Sequence, residues 1–194
     1  MLEPERMKML RGDLYLAADP GLTAARVRAR QLCRAFNAVD PADFPGAVRI
    51  LRELLGRVGN DAWIEAPFHC EYGTQIELGA GAFLNMNCIL LDPAPIIIGD
   101  QAQLGPGVQL LTATHPVAAA ARVAGPELAR PITLGPRAWL GGGVIVGPGV
   151  TIGADTVVGA GSVVVRDLPP GVVAVGNPCR VVRHLDAGDP APGD

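Results

Sequence analysis

The chain has 194 residues, enough for one domain with a small appendage and a sizeable buried core. Hydrophobic residues make up 49% of it but aromatics only 4%, with 25 Gly and 18 Pro, so Val, Ile, Leu and Ala must build the core in place of rings. A net charge of −3 argues against a nucleic-acid surface and against general membrane binding.

Met1–Leu10 mixes charges with apolar residues and lacks the apolar block of a signal peptide. No apolar run approaches the roughly 18 residues that span a bilayer, so the chain reads as cytoplasmic. Cys33, Cys70, Cys88 and Cys179 are scattered, with neither a C-x-x-C pair nor zinc-like spacing. They read as reduced thiols buried as small hydrophobes.

Residues 1–58 have helical character. After the turn signal Asp19-Pro20-Gly21, Thr23 is placed to cap a helix over Ala24–Phe36, with Val27, Leu32, Ala35 and Phe36 as its apolar face. Arg26, Arg28, Arg30 and Arg34 crowd this helix and read mainly as a solvated face. A second helix is expected over Ala47–Leu55, with Val48, Leu51, Leu54 and Leu55 inward and Gly56 near its end.

From about Ala62 the pattern turns β. A small apolar residue followed by Gly recurs every six residues: Ile98-Gly99, Leu104-Gly105, then Leu134-Gly135, Leu140-Gly141, Val146-Gly147, Ile152-Gly153 and Val158-Gly159. The fifth place is also small or β-branched, as at Ala102, Val108, Ala138, Val144, Val150, Thr156 and Ser162. Because strand side chains alternate with a period of two, each hexad is a short strand plus a corner. Pro106-Gly107, Pro148-Gly149 and Ala154-Asp155 suit corners that need left-handed angles. Three hexads close one triangular coil, and stacked coils lie about 4.8 Å apart. This is a hexapeptide-repeat parallel solenoid, mainly β, over 59–185.

The beat has an insertion at Asp92–Pro95 and one large break, an excursion loop over 116–131 that follows Leu110–Pro116. Beyond the last hexad, Asp167–Gly171 stops the coil and Val172–Val182 is strand-like, with a turn at Asn177-Pro178. The acidic, Pro/Gly-rich tail 186–194 is expected to be disordered.

Chemistry should sit at the break. His115 precedes Pro116, which holds it extended, so it should end a coil strand at the prism edge beside a mobile Ala-rich flap, Val117–Ala124. An unperturbed imidazole titrates near about 6.5 and can take and return a proton at neutral pH; a structural corner histidine is the alternative. Asn85 stands where the beat places Gly, either to contact a substrate hydroxyl or to cap a corner.

Lys8–Ala18, Asn85–Cys88, Thr112–Pro116, Pro131–Gly135, Trp139–Gly141, Pro148–Gly153 and Gly176–Arg180 resemble the maltose and galactoside O-acetyltransferases of the hexapeptide-repeat acyltransferase superfamily, and the likeness runs from about Glu5 to Leu185. The resemblance implies left-handed coils, a homotrimer with active sites between prisms, and acetyl-CoA as co-substrate in the groove, with no metal. It implies that His115 is the base that deprotonates a sugar hydroxyl, which attacks the thioester directly in a ternary complex. Asn85 matches the residue that contacts the acceptor and stabilises the tetrahedral intermediate.

Trp139, Gly142, Ala160, Val165, Arg166, Arg180 and Arg183 match positions lining the family's CoA groove, and guanidinium forks suit a phosphorylated adenosine. Arg26, Glu71 and Asp92 are acceptor candidates. The galactoside enzymes carry an acceptor-binding Asp where this chain has Ala17, with Asp19 nearby as in the maltose type, and Ser and a second Asp where it has Glu71 and Pro93. The maltose type is therefore favoured. The alternatives are acyl transfer to an amine or a serine hydroxyl, a non-catalytic scaffold, and a zinc-dependent carbonic anhydrase. His69, His115 and His184 lack the close spacing the last requires.

Overall fold

The first residues of consecutive hexads, Leu134, Leu140, Val146, Ile152 and Val158, are at most 1% exposed, and the fifth residues at most 2%. The inward pair of each hexad therefore forms a continuous axial core, and each such Leu, Ile or Val contributes about 1.5–3 kcal/mol. The polar fifth residues are satisfied: Thr156 Oγ1 donates to Pro169 O at 2.6 Å, and Ser162 Oγ donates to Gly159 O at 2.6 Å.

The computed structural model describes residues 4–186; residues 1–3 and the tail from 187 onward lie outside the described residues. The chain visits three parallel faces in turn through about six coils. The first face stacks Arg57–Val58, Ile76–Leu78, Ile96–Ile98, Ile132–Leu134 and Thr151–Ile152. The second stacks Trp63–Ile64, Phe83–Leu84, Gln103–Leu104, Trp139–Leu140 and Val157–Val158, and ends in Val172–Gly176 and Cys179–His184. The third stacks Phe68–Cys70, Cys88–Leu91, Gln109–Leu111, Ile145–Val146 and Val163–Val164. The solenoid thus begins at Arg57, just ahead of the expected boundary at 59. The strand-like segment over Val172–Val182 is an antiparallel hairpin that reverses at Asn177-Pro178.

Later coils advance 18 residues, as Trp139 opposite Val157 shows, whereas earlier ones advance 20, as in Phe83 opposite Gln103. The extra residues enlarge one column of corners, between the third and first faces, where the insertion at Asp92–Pro95 falls.

Three helices precede the prism: α1 (Glu5–Arg11), α2 (Pro20–Asn37) and α3 (Phe44–Leu54). Thr23 does not cap α2. Asp19 does, its Oδ1 accepting from Leu22 N at 3.0 Å, because Pro20 has the φ of a first helical residue and lacks the N–H that would go unpaired there. The buried stripe is Leu22, Ala29, Cys33 and Phe36, while Val27 is 47% exposed. The stripe runs through small residues, which lets α2 lie close on the third face of the first coil. Asp43 starts α3 in the same way, accepting from Gly46 N at 2.9 Å. Helix α1, which ends at Gly12 in the left-handed region, had no distinct sequence signal.

The glycine of the beat serves proximity. At Gly141 a Cβ would stand 2.6 Å from the backbone nitrogen of Ala160 on the next coil. Gly141→Ala should therefore push two coils apart and cost about 1–3 kcal/mol, read as a lower Tm in thermal unfolding, although alanine is the smallest possible addition.

Candidate active site

The enlarged corners are built around Asp92, which is fully buried. Its Oδ1 accepts from Glu71 N at 3.0 Å and Tyr72 N at 2.8 Å, and its Oδ2 accepts from Gln75 N at 3.3 Å. Burial pushes its carboxyl up and these backbone amides pull against it. One coil further on, Thr112 Oγ1 donates to Leu91 O at 2.8 Å and accepts from Ala94 N at 3.1 Å. Asp92 and Thr112 thus fasten three successive corners of one column, and Asp92 has no exposed surface to offer an acceptor. Its expected substrate contact is corrected to a positioning one, since a short buried acid bracketed by amides is consumed as a turn anchor.

From the same column the chain leaves the prism. Ala113–Thr114 pairs antiparallel with Leu128–Ala129, so the excursion is a hairpin enclosing a short helix, α4 (Ala119–Val123). His115 therefore stands just beyond an outgoing hairpin strand, where it was expected to end a coil strand. Its ring is exposed, and no hydrogen bond holds it among the described residues.

The N-terminal segment closes over this edge. Tyr15 and Glu127 exchange backbone hydrogen bonds at 3.1 and 2.9 Å, and Tyr15 OH donates to Glu127 Oε2 at 3.0 Å. Arg26, half-buried on α2, donates to Tyr72 OH at 2.9 Å, to Ala17 O at 2.7 Å and to Thr23 Oγ1 at 3.1 Å. Met9, Tyr15, Leu22 and Tyr72 form a separate apolar cluster beneath. Glu71 is half-buried. Desolvation raises its pKa, Arg26 counters this, and Asp92 and Glu127 add to it. Desolvation likewise raises both tyrosines, so they stay phenols at neutral pH. Asp19 is spent on capping α2.

Asn85 follows the second-face strand Phe83–Leu84, and its Oδ1 accepts from Met86 N at 2.8 Å. Its Nδ2 hydrogens have no partner among the described residues, so the side chain caps a corner while keeping two donors to present. No hydrogen bond joins Asn85 to His115, and they leave the prism from different faces.

The groove candidates divide. Trp139, 44% exposed on the second face, precedes a corner at which Gly161 N donates to Gly142 O at 2.9 Å, with Ala160 exposed beside it. Arg180 and Arg183 lie on the outermost strand of that same sheet. Val165 and Arg166 are exposed one corner further round, after the third-face strand Val163–Val164. Sequence reading passed over Tyr15, Tyr72 and Glu127. The usable signal was that the chain has only two tyrosines in a core otherwise free of large polar rings, and both lie here. Among the described residues, no group of three or more His, Cys, Asp or Glu side chains could hold a metal ion.

The maltose acetyltransferase hexapeptide capping motif matches residues 8–59, and the six-repeat bacterial transferase hexapeptide model matches 131–166. Nodulation protein L of Rhizobium meliloti is 46% identical over 181 residues, covering 93% of this chain and 99% of its own. A maltose O-acetyltransferase from Clostridium difficile superposes with a TM-score of 0.93 at 44% identity, over 95% of this chain and 98% of that one. A galactoside acetyltransferase in complex with coenzyme A gives 0.91 at 36% identity, over 95% and 92%. The chain belongs to the maltose and galactoside O-acetyltransferase family.

Asp92→Ala strands three backbone amides, one of them buried, and should cost about 2–4 kcal/mol in chemical denaturation, whereas Asp92→Asn keeps one acceptor oxygen and should lose less.

Proposed function

We propose that this protein transfers an acetyl group from acetyl-CoA to a hydroxyl of a maltose-, glucose- or galactoside-like sugar, in the cytoplasm. The active form is a homotrimer whose sites lie between neighbouring prisms. One observation carries the reading: His115 leaves the prism on a hairpin from the same corner column where half-buried Arg26 and Glu71 form a polar patch over the buried Tyr72. Val117 and Val123 on the hairpin are 94% and 83% exposed, and Val165 is also open, which supports a neighbouring subunit against this edge.

Small residues fit the co-substrate: a Cβ on Gly142 would come within 3.3 Å of Pro106 O, and Ala160 beside it presents only a methyl. Trp139, Gly142 and Ala160 would flank the pantetheine arm, Val165 and Arg166 would border it, and Arg180 with Arg183 would meet the phosphates. When bound, acetyl-CoA supplies an activated thioester carbonyl. The His115 imidazole accepts the acceptor hydroxyl proton, the freed oxygen attacks, and the imidazolium returns the proton to the departing sulfur. The Nδ2 donors of Asn85 stabilise the oxygen that becomes negative. Arg26 and Glu71 orient the sugar hydroxyls, while Asp92 and Asp19 hold the elements that carry them.

Thiol release from acetyl-CoA with a panel of sugars tests this. His115→Ala should lower turnover by about 10²–10⁴-fold while sedimentation still reports a trimer. Sugar-independent thiol release, or full activity in the variant, would sink the proposal, and release with amines alone would place the acceptor in another class.

Glu71 gives a second check. Its raised pKa means that the ionised form, the better acceptor of sugar hydroxyls, is lost as pH falls through a range above that of ordinary carboxylates. Acceptor KM should rise on acidification in that range, and the Glu71→Gln protein should have a flatter KM profile there.

A further inference from the structure

All four cysteines are free and buried, but two of them meet. The sulfurs of Cys33 on α2 and Cys70 on the third face lie 3.6 Å apart, 37 residues apart in sequence. They line a cavity of about 440 Å³ whose other walls are Arg30, Arg34, Asn37, Ala38 and His69. A disulfide needs its sulfurs about 2.0 Å apart, so closure asks for a shift of under 2 Å shared by two side chains. We infer that Cys33 and Cys70 are a modification site, oxidised reversibly to a disulfide by a small anionic disulfide such as oxidised glutathione.

The cavity suits that reagent, because Arg30, Arg34 and His69 present cationic or protonatable groups to its carboxylates at the mouth while the two thiols wait behind them. Cys33 is the attacking group. Either thiol can donate across this contact; with Cys70 donating, the Cys33 thiol is held down, while the same contact and burial push Cys70 up. The Cys33 thiolate attacks one sulfur of the reagent and expels the first glutathione thiolate, which takes up a proton. Cys70 then loses its proton and attacks Cys33 Sγ, releasing the second glutathione. Two protein thiols are oxidised by two electrons, and one reagent disulfide is reduced to two thiols. Cys88, whose thiol contacts Gly105 O at 3.5 Å and is pushed by burial up to about 11, has no sulfur neighbour among the described residues, nor has Cys179.

The crosslink would join α2, which carries Arg26, to the strand that runs directly into Glu71. The inference is independent of the acetyl-transfer reading. Its test is to equilibrate the native full-length protein with mixtures of oxidised and reduced glutathione, then quench, denature and count thiols. Free thiols should fall from four to two. Intact mass should fall by two hydrogens, and a Cys33–Cys70 crosslinked peptide should appear and vanish with dithiothreitol. The oxidised protein should melt at a higher temperature, because the bond restrains the unfolded chain. Cys33→Ser and Cys70→Ser should yield no loss of hydrogens. Four thiols surviving in the wild type, a reaction that stops at a glutathione adduct, or a bond through Cys88 or Cys179 would overturn the inference whether or not the variants fold.

Discussion

The molecule depends on how closely one turn of backbone can lie on the next. Parallel coil-to-coil hydrogen bonds such as Trp139 N to Thr156 O at 2.9 Å and Gly141 N to Val158 O at 2.8 Å form only if nothing projects between successive corners. The second place of the hexad therefore lacks a side chain, and the first and fifth point inward. That rule produces a rod of nearly uniform section, stable through repetition and chemically blank. Function has to be grafted where the rule is relaxed.

The relaxation is local and graded. Coils with 20 residues carry enlarged corners along one edge, a buried acid fastens them, and a little further on the same edge releases the hairpin. The N-terminal segment then returns to that edge and completes it with Arg26 of α2 and with Tyr15, which lies between α1 and α2. The polar patch is thus assembled from segments distant in sequence, while the groove candidates Trp139, Gly142 and Ala160 lie within the strict repeat and needed no special arrangement. The coenzyme side can use the regular scaffold, and the acceptor side uses its defects.

This division explains what could be read from the sequence. The prism was legible because the hexad is periodic and its inward places tolerate only small or branched residues. The break at His115 was legible as the one large lapse in that period. The start of α2 was misplaced because Thr23 is a good cap in isolation, whereas Pro20 made Asp19 the better one. Asp92 was noticed as part of an insertion, but its burial is tertiary: the amides it accepts from belong to the preceding coil. Tyr72 and Glu127 have no local pattern to betray them for the same reason, and only the scarcity of tyrosines pointed to the first. The proximity of Cys33 to Cys70 likewise depends on the docking of α2 against a strand that no periodicity relates to it.

The bond between Tyr15 and Glu127 spans 112 residues of chain. Most contacts in the rod join neighbouring coils, so a ribosome-bound chain can lay them down progressively as each turn emerges. The clasp is different: the N-terminal member of the pair is synthesised early, and its partner arrives only after three coils have been made. Until then the buried face of Tyr15 has nothing to cover it from the hairpin side. Completion of the acceptor edge is therefore the late, long-range event in an otherwise sequential assembly, and the segment made first is among the last to find its place.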